Sequence, residues 1–135
     1  MNILIDASAL MSVLIDEPEK QFVFTVTRDC ELIAPSIMPF EIGNALTRLK
    51  KRKILNEKQV ISAYNEFIKI PLRLLEPDIE KAIKIACKYN IYAYDAYYLE
   101  IACRFNVPLL TLDISMKKIA IDLNLRVLEV ENEDL

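Results

Sequence analysis

The chain has 135 residues, 53% hydrophobic and 27% charged, with a formal net charge of −3. Those values fit one globular domain spanning residues 1–135 with a sizeable core, and they exclude a disordered or low-complexity chain. There is no histidine and only one glycine, Gly43. Ser-His-Asp and Cys-His catalysis, histidine-bearing zinc sites, P-loops and glycine-rich dinucleotide turns are therefore all ruled out.

No apolar run approaches the roughly 18 residues of a membrane span. The N-terminus enters a strand with no charged region ahead of a hydrophobic one, so no signal peptide and a cytoplasmic location are expected. Cys30, Cys87 and Cys103 have no CxxC spacing. Cys87 and Cys103 fall among helix-core residues and are expected to be small buried hydrophobes.

Ile3, Leu4 and Ile5 form a continuous apolar run, the pattern of a strand buried on both faces of a parallel sheet. The run stops on Asp6. Ser8 to Ile15 reads as a short helix broken near Pro18, and Pro18 to Asp29 as a second, with Phe22, Val23 and Val26 as its apolar stripe. Leu32 to Ala34 is a strand closed by Pro35. The helix from Ser36 to Lys53 buries Met38, Ile42, Ala45 or Leu46, and Leu49, with Pro39 in its first turn. Glu41, Asn44 and Arg48 make a polar stripe beside that face. Asn56 caps a helix running to Ile70, with Val60, Tyr64 and Phe67 on one side and Ile61 and Ile68 close by.

Leu72 to Leu75 reads as a third strand. Helices follow over Asp78–Tyr89 and Tyr94–Phe105, the second headed by Asp95. The strand Leu109–Leu112 ends at Asp113. A helix over Ser115–Leu123, a strand over Arg126–Val130 and an acidic tail, Glu131–Leu135, complete the chain. Such alternation implies an α/β/α sandwich with a five-stranded parallel sheet. Charges at Arg73, Arg126 and Glu129 put the third and fifth strands at the edges, and right-handed crossovers then give the order 3-2-1-4-5. The switch point falls between strands one and four, where ligands bind in open α/β sheets. Asp6 and Asp113 end those two strands.

Each acidic residue also has a structural explanation. Asp6 and Asp113 could cap the helices that follow, Asp95 could complement a helix dipole, and Glu41 could pair with Arg48 in solvent. Taken together, four carboxylates at one sheet edge repel one another unless some are protonated or a cation joins them. Hard oxygen ligands without histidine or thiolate point to Mg²⁺ or Mn²⁺. Such ions activate water and stabilise charge on a phosphodiester undergoing in-line displacement, with no histidine base required.

Asp6-Ala7-Ser8, Pro39 to Asn44, Tyr94-Asp95-Ala96 with Leu99 and Ala102, and Thr111-Leu112-Asp113 stand in order along the chain. Together they resemble the successive motifs of PIN domains, with the nearest likeness to VapC-type toxins of toxin–antitoxin pairs. The segment Asn90–Tyr94 lacks the small hydroxyl residue many relatives carry before the aspartate, and Leu112 stands where polar or basic residues are common. The resemblance implies a Mg²⁺- or Mn²⁺-dependent endoribonuclease. Matched motif to motif, Asp6, Glu41, Asp95 and Asp113 would form the acidic metal cluster, and Ser8, Asn44 and Thr111 would be polar helpers. It further implies an RNA substrate, an antitoxin partner whose C-terminal segment packs in a hydrophobic groove between helices, and a homodimer.

Arg48 shares a helix face with Glu41 and Asn44 and is placed to track RNA phosphates. The run Lys50–Lys53 reads first as cations favourable at a helix C-terminus. Tyr92, Tyr94, Tyr97 and Tyr98 flank Asp95; helix packing is their default role, and one or two could stack on bases. The alternatives are an RNA-processing PIN nuclease outside any toxin pair and a non-catalytic PIN binding module. A receiver domain is rejected because strand three ends Leu75-Glu76-Pro77 and strand five Val130-Glu131, without its aspartate and lysine. A haloacid-dehalogenase-type phosphatase would need an aspartate at Ser8.

Overall fold

The structure, a computed structural model, describes residues 1–129. Strand β1 (Asn2–Ile5) leads into helices α1 (Ala7–Leu14) and α2 (Lys20–Thr27), then β2 (Glu31–Pro35). Helices α3 (Met38–Lys51) and α4 (Glu57–Phe67) precede β3 (Leu72–Leu75). Helices α5 (Ile79–Tyr89) and α6 (Ala93–Phe105) precede β4 (Leu109–Leu110), and α7 covers Ile114–Asp122.

All pairings are parallel, in the order β3-β2-β1-β4. The expected fifth strand contributes a single bridge, Leu109 with Val127, on the free side of β4. Its place agrees with the expected order 3-2-1-4-5, and the α/β class with a parallel sheet holds, with four strands among the described residues rather than five. Val130 and the tail Glu131–Leu135 lie outside those residues.

The chain moves from β1 to β3 in one direction and returns across the sheet to β4. Right-handed crossovers therefore put α1–α4 on one face and α5–α6 on the other. Helices α1, α3 and α4 pack on one another, while α6 packs on α5 and lies against β1 and β2. Ile3, Leu4, Ile5, Leu109 and Leu110 have no solvent exposure. Their burial contributes on the order of 10 kcal/mol. That offsets the several kcal/mol it costs to hold a carboxylate at the end of such a strand.

Local signals set most boundaries. Asn56 caps α4 in a reciprocal capping box with Gln59, both bonds 2.8 Å. Helix α3 starts at Met38, two residues later than expected, because the Ser36 N–H instead bonds the Leu75 carbonyl and extends the β2–β3 ladder. With the single glycine inside α3, the left-handed residues that end α5 and α6 are Asn90 and Asn106, the type that tolerates this backbone best after glycine.

Two expectations need correction. Cys87 and Cys103 are exposed, not buried. Helix α5 buries Ala82 and Ala86, and α6 buries Leu99 and Ala102, so each cysteine falls one position round the helix from the packed stripe. On α4 the buried line is Val60, Ala63 and Phe67, whereas Ile61, Tyr64 and Ile68 face outward.

Candidate active site

Asp6 follows β1 directly and is the N-cap of α1, with extended backbone and its Oδ1 accepting the Ala9 N–H at 3.1 Å. The Ser8 hydroxyl also donates to Oδ1, at 2.6 Å, while the Thr111 hydroxyl donates to Oδ2. Both hydroxyls are oriented from behind. Ser8 Oγ accepts the Leu112 N–H at 3.0 Å, and Thr111 Oγ1 accepts the Asp113 N–H at 3.1 Å. Thr111 therefore leaves the β4 ladder to serve Asp6, and the strand expected to reach Leu112 stops at Leu110.

Asp113 caps α7. Its Oδ1 accepts the Ser115 N–H (2.8 Å), the Ser115 hydroxyl (2.7 Å) and the Met116 N–H (3.3 Å). Glu41 stands in the first turn of α3, and its Oε1 accepts the Tyr98 hydroxyl at 2.8 Å. Asp95 stands in the first turn of α6, with no side-chain hydrogen bond among the described residues.

Capping and availability for chemistry are thus not exclusive. In Asp113 and Glu41 one carboxylate oxygen is occupied by the fold, and the other has no hydrogen-bond partner among the described residues.

The four carboxylates feel one another. Burial raises the pKa of Asp6 above the ordinary range, against hydrogen bonds from Ser8, Thr111 and Ala9, and the charge of Asp113 adds to the rise. Glu41 is raised by burial and by Asp95 and Asp6, against the Tyr98 hydrogen bond. Asp95 is raised by burial and by Asp113. Asp113 alone is lowered, chiefly by the Ser115 hydrogen bond. Among the described residues no lysine or arginine forms an ion pair with any of the four.

Four hard-oxygen donors with no cationic partner fit a divalent cation in donor chemistry. As the side chains stand, no three His, Cys, Asp or Glu groups among the described residues are drawn closely enough together to hold one.

Asn44 and Arg48 line a cleft of about 680 Å³ together with Ser8, Glu41, Phe40 and Tyr94. Glu41 and Arg48 form no ion pair, so the solvated-pair explanation of Glu41 fails. Lys50 lies nine residues beyond Glu41 along α3, about 13 Å at the helical rise, and the run Lys50–Lys53 takes no part in the cleft.

Tyr98 is buried, in keeping with its expected packing role, but its hydrogen bond to Glu41 is a contact that sequence reasoning missed. The residue is 2% exposed, and its hydroxyl anchors Glu41. The available signal was its position three residues after Asp95, which puts both on one helix face.

The PIN domain family model matches residues 3–122. Ribonuclease VapC3 of Pyrobaculum aerophilum is 26% identical over 118 residues, covering 84% of this chain and 90% of that protein. The crystal structure of PAE2754, also from Pyrobaculum aerophilum, superposes with a TM-score of 0.67 at 18% identity, covering 92% of this chain and 90% of that one. VapBC2 from Rickettsia felis, bound to a DNA fragment from its promoter, superposes with a TM-score of 0.66 at 16% identity, covering 95% and 98%. At those identities the two structures speak for the fold, and the family match over most of the chain carries the assignment: this protein belongs to the PIN domain family.

Proposed function

We propose that the protein is an endoribonuclease dependent on Mg²⁺ or Mn²⁺, and the toxin of a VapBC-type pair. The observation that carries this reading is the set of four carboxylates, Asp6 and Asp113 after the strands of the switch point and Glu41 and Asp95 in the first turns of α3 and α6. Burial, with repulsion among them, raises the proton affinity of Asp6, Glu41 and Asp95, and no cationic side chain among the described residues forms an ion pair with any of the four. The curated relative of similar length is named as a ribonuclease.

Asp6, Glu41, Asp95 and Asp113 would hold the cation, whose chemistry is to acidify a bound water and neutralise charge on the phosphodiester. Ser8 and Thr111 orient Asp6 through the hydrogen bonds described above. Asn44 and Arg48 are assigned to the RNA strand.

An antitoxin protein is the proposed partner, and a second copy of the chain the proposed assembly. A cleft of about 720 Å³ among α1, α2 and α4 has Leu14, Phe24, Leu55 and Ile70 on its walls with Lys20 and Lys58 at its rim. Its size and apolar lining suit a segment of such a partner.

The test is cleavage of total cellular RNA by wild type with Mg²⁺ or Mn²⁺, by wild type with chelator, and by Asp6→Asn combined with Asp95→Asn. Cleavage is expected only in the first. Cleavage that survives both chelator and double substitution would overturn the assignment.

A further inference from the structure

The two strands at the switch point are followed by the same three-residue pattern, Asp6-Ala7-Ser8 and Asp113-Ile114-Ser115. In both, the aspartate is the N-cap of the next helix, and its Oδ1 accepts the hydroxyl of the serine two residues on. That bond is 2.6 Å from Ser8 and 2.7 Å from Ser115. The second oxygens differ. Asp6 Oδ2 accepts the Thr111 hydroxyl, whereas Asp113 Oδ2 has no hydrogen-bond partner among the described residues. Of these two carboxylates, Asp113 is the one with an oxygen to spare.

Helix α7 does not need the Ser115 hydroxyl. The Ser115 and Met116 N–H groups already donate to Asp113 Oδ1, and the Lys117 N–H donates to the Asp113 carbonyl. The hydroxyl satisfies no backbone group, and its one hydrogen bond among the described residues goes to the carboxylate. Nor does Ser115 serve the core, because it is exposed. What it adds is orientation. Two backbone donors from successive residues of one turn leave a carboxylate free to pivot about the shared oxygen. A third donor, from a side chain that closes back on that oxygen, restricts the pivot. Partners that orient a metal-ligating group in this way govern metal affinity by about 10- to 100-fold.

We infer that Ser115 is a positioning residue for the proposed cation site: it locks Asp113 Oδ1 onto the first turn of α7 and keeps Oδ2 as the preorganised donor. The role rests on the metal-nuclease reading and adds to it a residue outside the four carboxylates and their helpers Ser8, Asn44 and Thr111.

In the test, Mn²⁺ is titrated without RNA into the full chain, and the free ion is followed by electron paramagnetic resonance. Wild type, Ser115→Ala, Ser115→Thr and Asp113→Asn are compared, and each is also melted in chelator. Ser115→Ala is expected to bind Mn²⁺ about tenfold more weakly than wild type, and Ser115→Thr, which keeps the hydroxyl, within about twofold of it. Ser115→Ala should melt close to wild type in chelator, so that weaker binding is not a loss of fold.

Unchanged Mn²⁺ affinity in Ser115→Ala makes the serine a helix-end residue and overturns the role, as does an equal loss in Ser115→Thr. Weaker binding that tracks a lower melting temperature in chelator overturns it too. If Asp113→Asn binds as tightly as wild type, Asp113 is no ligand and Ser115 has nothing to position. Each of these results leaves the nuclease reading standing wherever wild type binds Mn²⁺ and cuts RNA. A wild type that takes up no Mn²⁺ removes the metal reading and the role of Ser115 together.

Discussion

Replacing Tyr98 by phenylalanine removes one oxygen atom and little else. The ring stays in the core, where Tyr98 is 2% exposed, and the 2.8 Å hydrogen bond to Glu41 is lost. A hydrogen bond to a neutral partner contributes about 1 kcal/mol to stability, and one to an ionised partner about 2 kcal/mol. The cost of Tyr98→Phe is therefore about 1 kcal/mol at pH 4, where Glu41 is protonated, and about 2 kcal/mol at pH 8.

The sign follows from Glu41. Its pKa is already raised by burial, and the Tyr98 hydroxyl restrains the rise. Without that hydroxyl the folded protein keeps the proton to still higher pH. Stability is then lost as pH rises from the ordinary glutamate range through the raised value. Urea titrations at the two pH values should show the midpoint displaced by about 1 M at pH 8 and about half as much at pH 4. In RNA cleavage the acid limb of the pH profile should move upward. An equal loss at both pH values with an unmoved acid limb would make Tyr98 a packing residue and refute its role in positioning Glu41.

Thr111→Val deletes a buried donor to Asp6 and an acceptor for the Asp113 N–H together, so a loss of about 2–3 kcal/mol is expected in urea unfolding; a loss under about 0.5 kcal/mol would mean that the hydroxyl network carries no weight. Asp95→Asn should act the other way in chelator. Asp95 has a raised folded pKa, so wild type loses stability as pH climbs above the ordinary aspartate range, and asparagine has no such loss. The variant should melt higher than wild type at pH 8 and level with it near pH 3. Saturating Mg²⁺ should reverse the order, since an ion at 100 times its Kd contributes about 2.7 kcal/mol to the protein that binds it. A variant that melts lower in chelator at pH 8 would show that Asp95 is not held against repulsion.

The frame of the fold was legible because unbroken apolar runs identify central parallel strands and single charges identify edges. Arg73 is exposed on β3 at the sheet's edge, and β1 and β4 meet at the switch point carrying Asp6 and Asp113. What misled were properties that depend on side chains far apart in sequence. The strand expected to run to Leu112 stops at Leu110 because Thr111, expected as a polar helper, gives its hydroxyl to Asp6. Tyr98 resembles its neighbours Tyr92 and Tyr94 in type, and only packing separates a buried tyrosine from exposed ones. Cys87 sits beside a buried position on α5, and a helical stripe this narrow excludes residues one step away. For Asp113 capping and a free oxygen coexist, because the helix N-terminus and Ser115 use only Oδ1, whereas both oxygens of Asp6 already accept hydrogen bonds.

The hydrogen bond from Thr111 to Asp6 joins residues 105 apart in the chain. A ribosome supplies about 5–20 residues per second, so Asp6 waits roughly 5–20 s for the hydroxyl that orients it and for Asp113 beside it. During that time β1 can pair with β2, but its other edge stays open. A growing chain therefore lacks the second half of the proposed cluster until residues 95 to 113 have been made and folded. The topology makes the proposed cluster one of the last features of the domain to assemble.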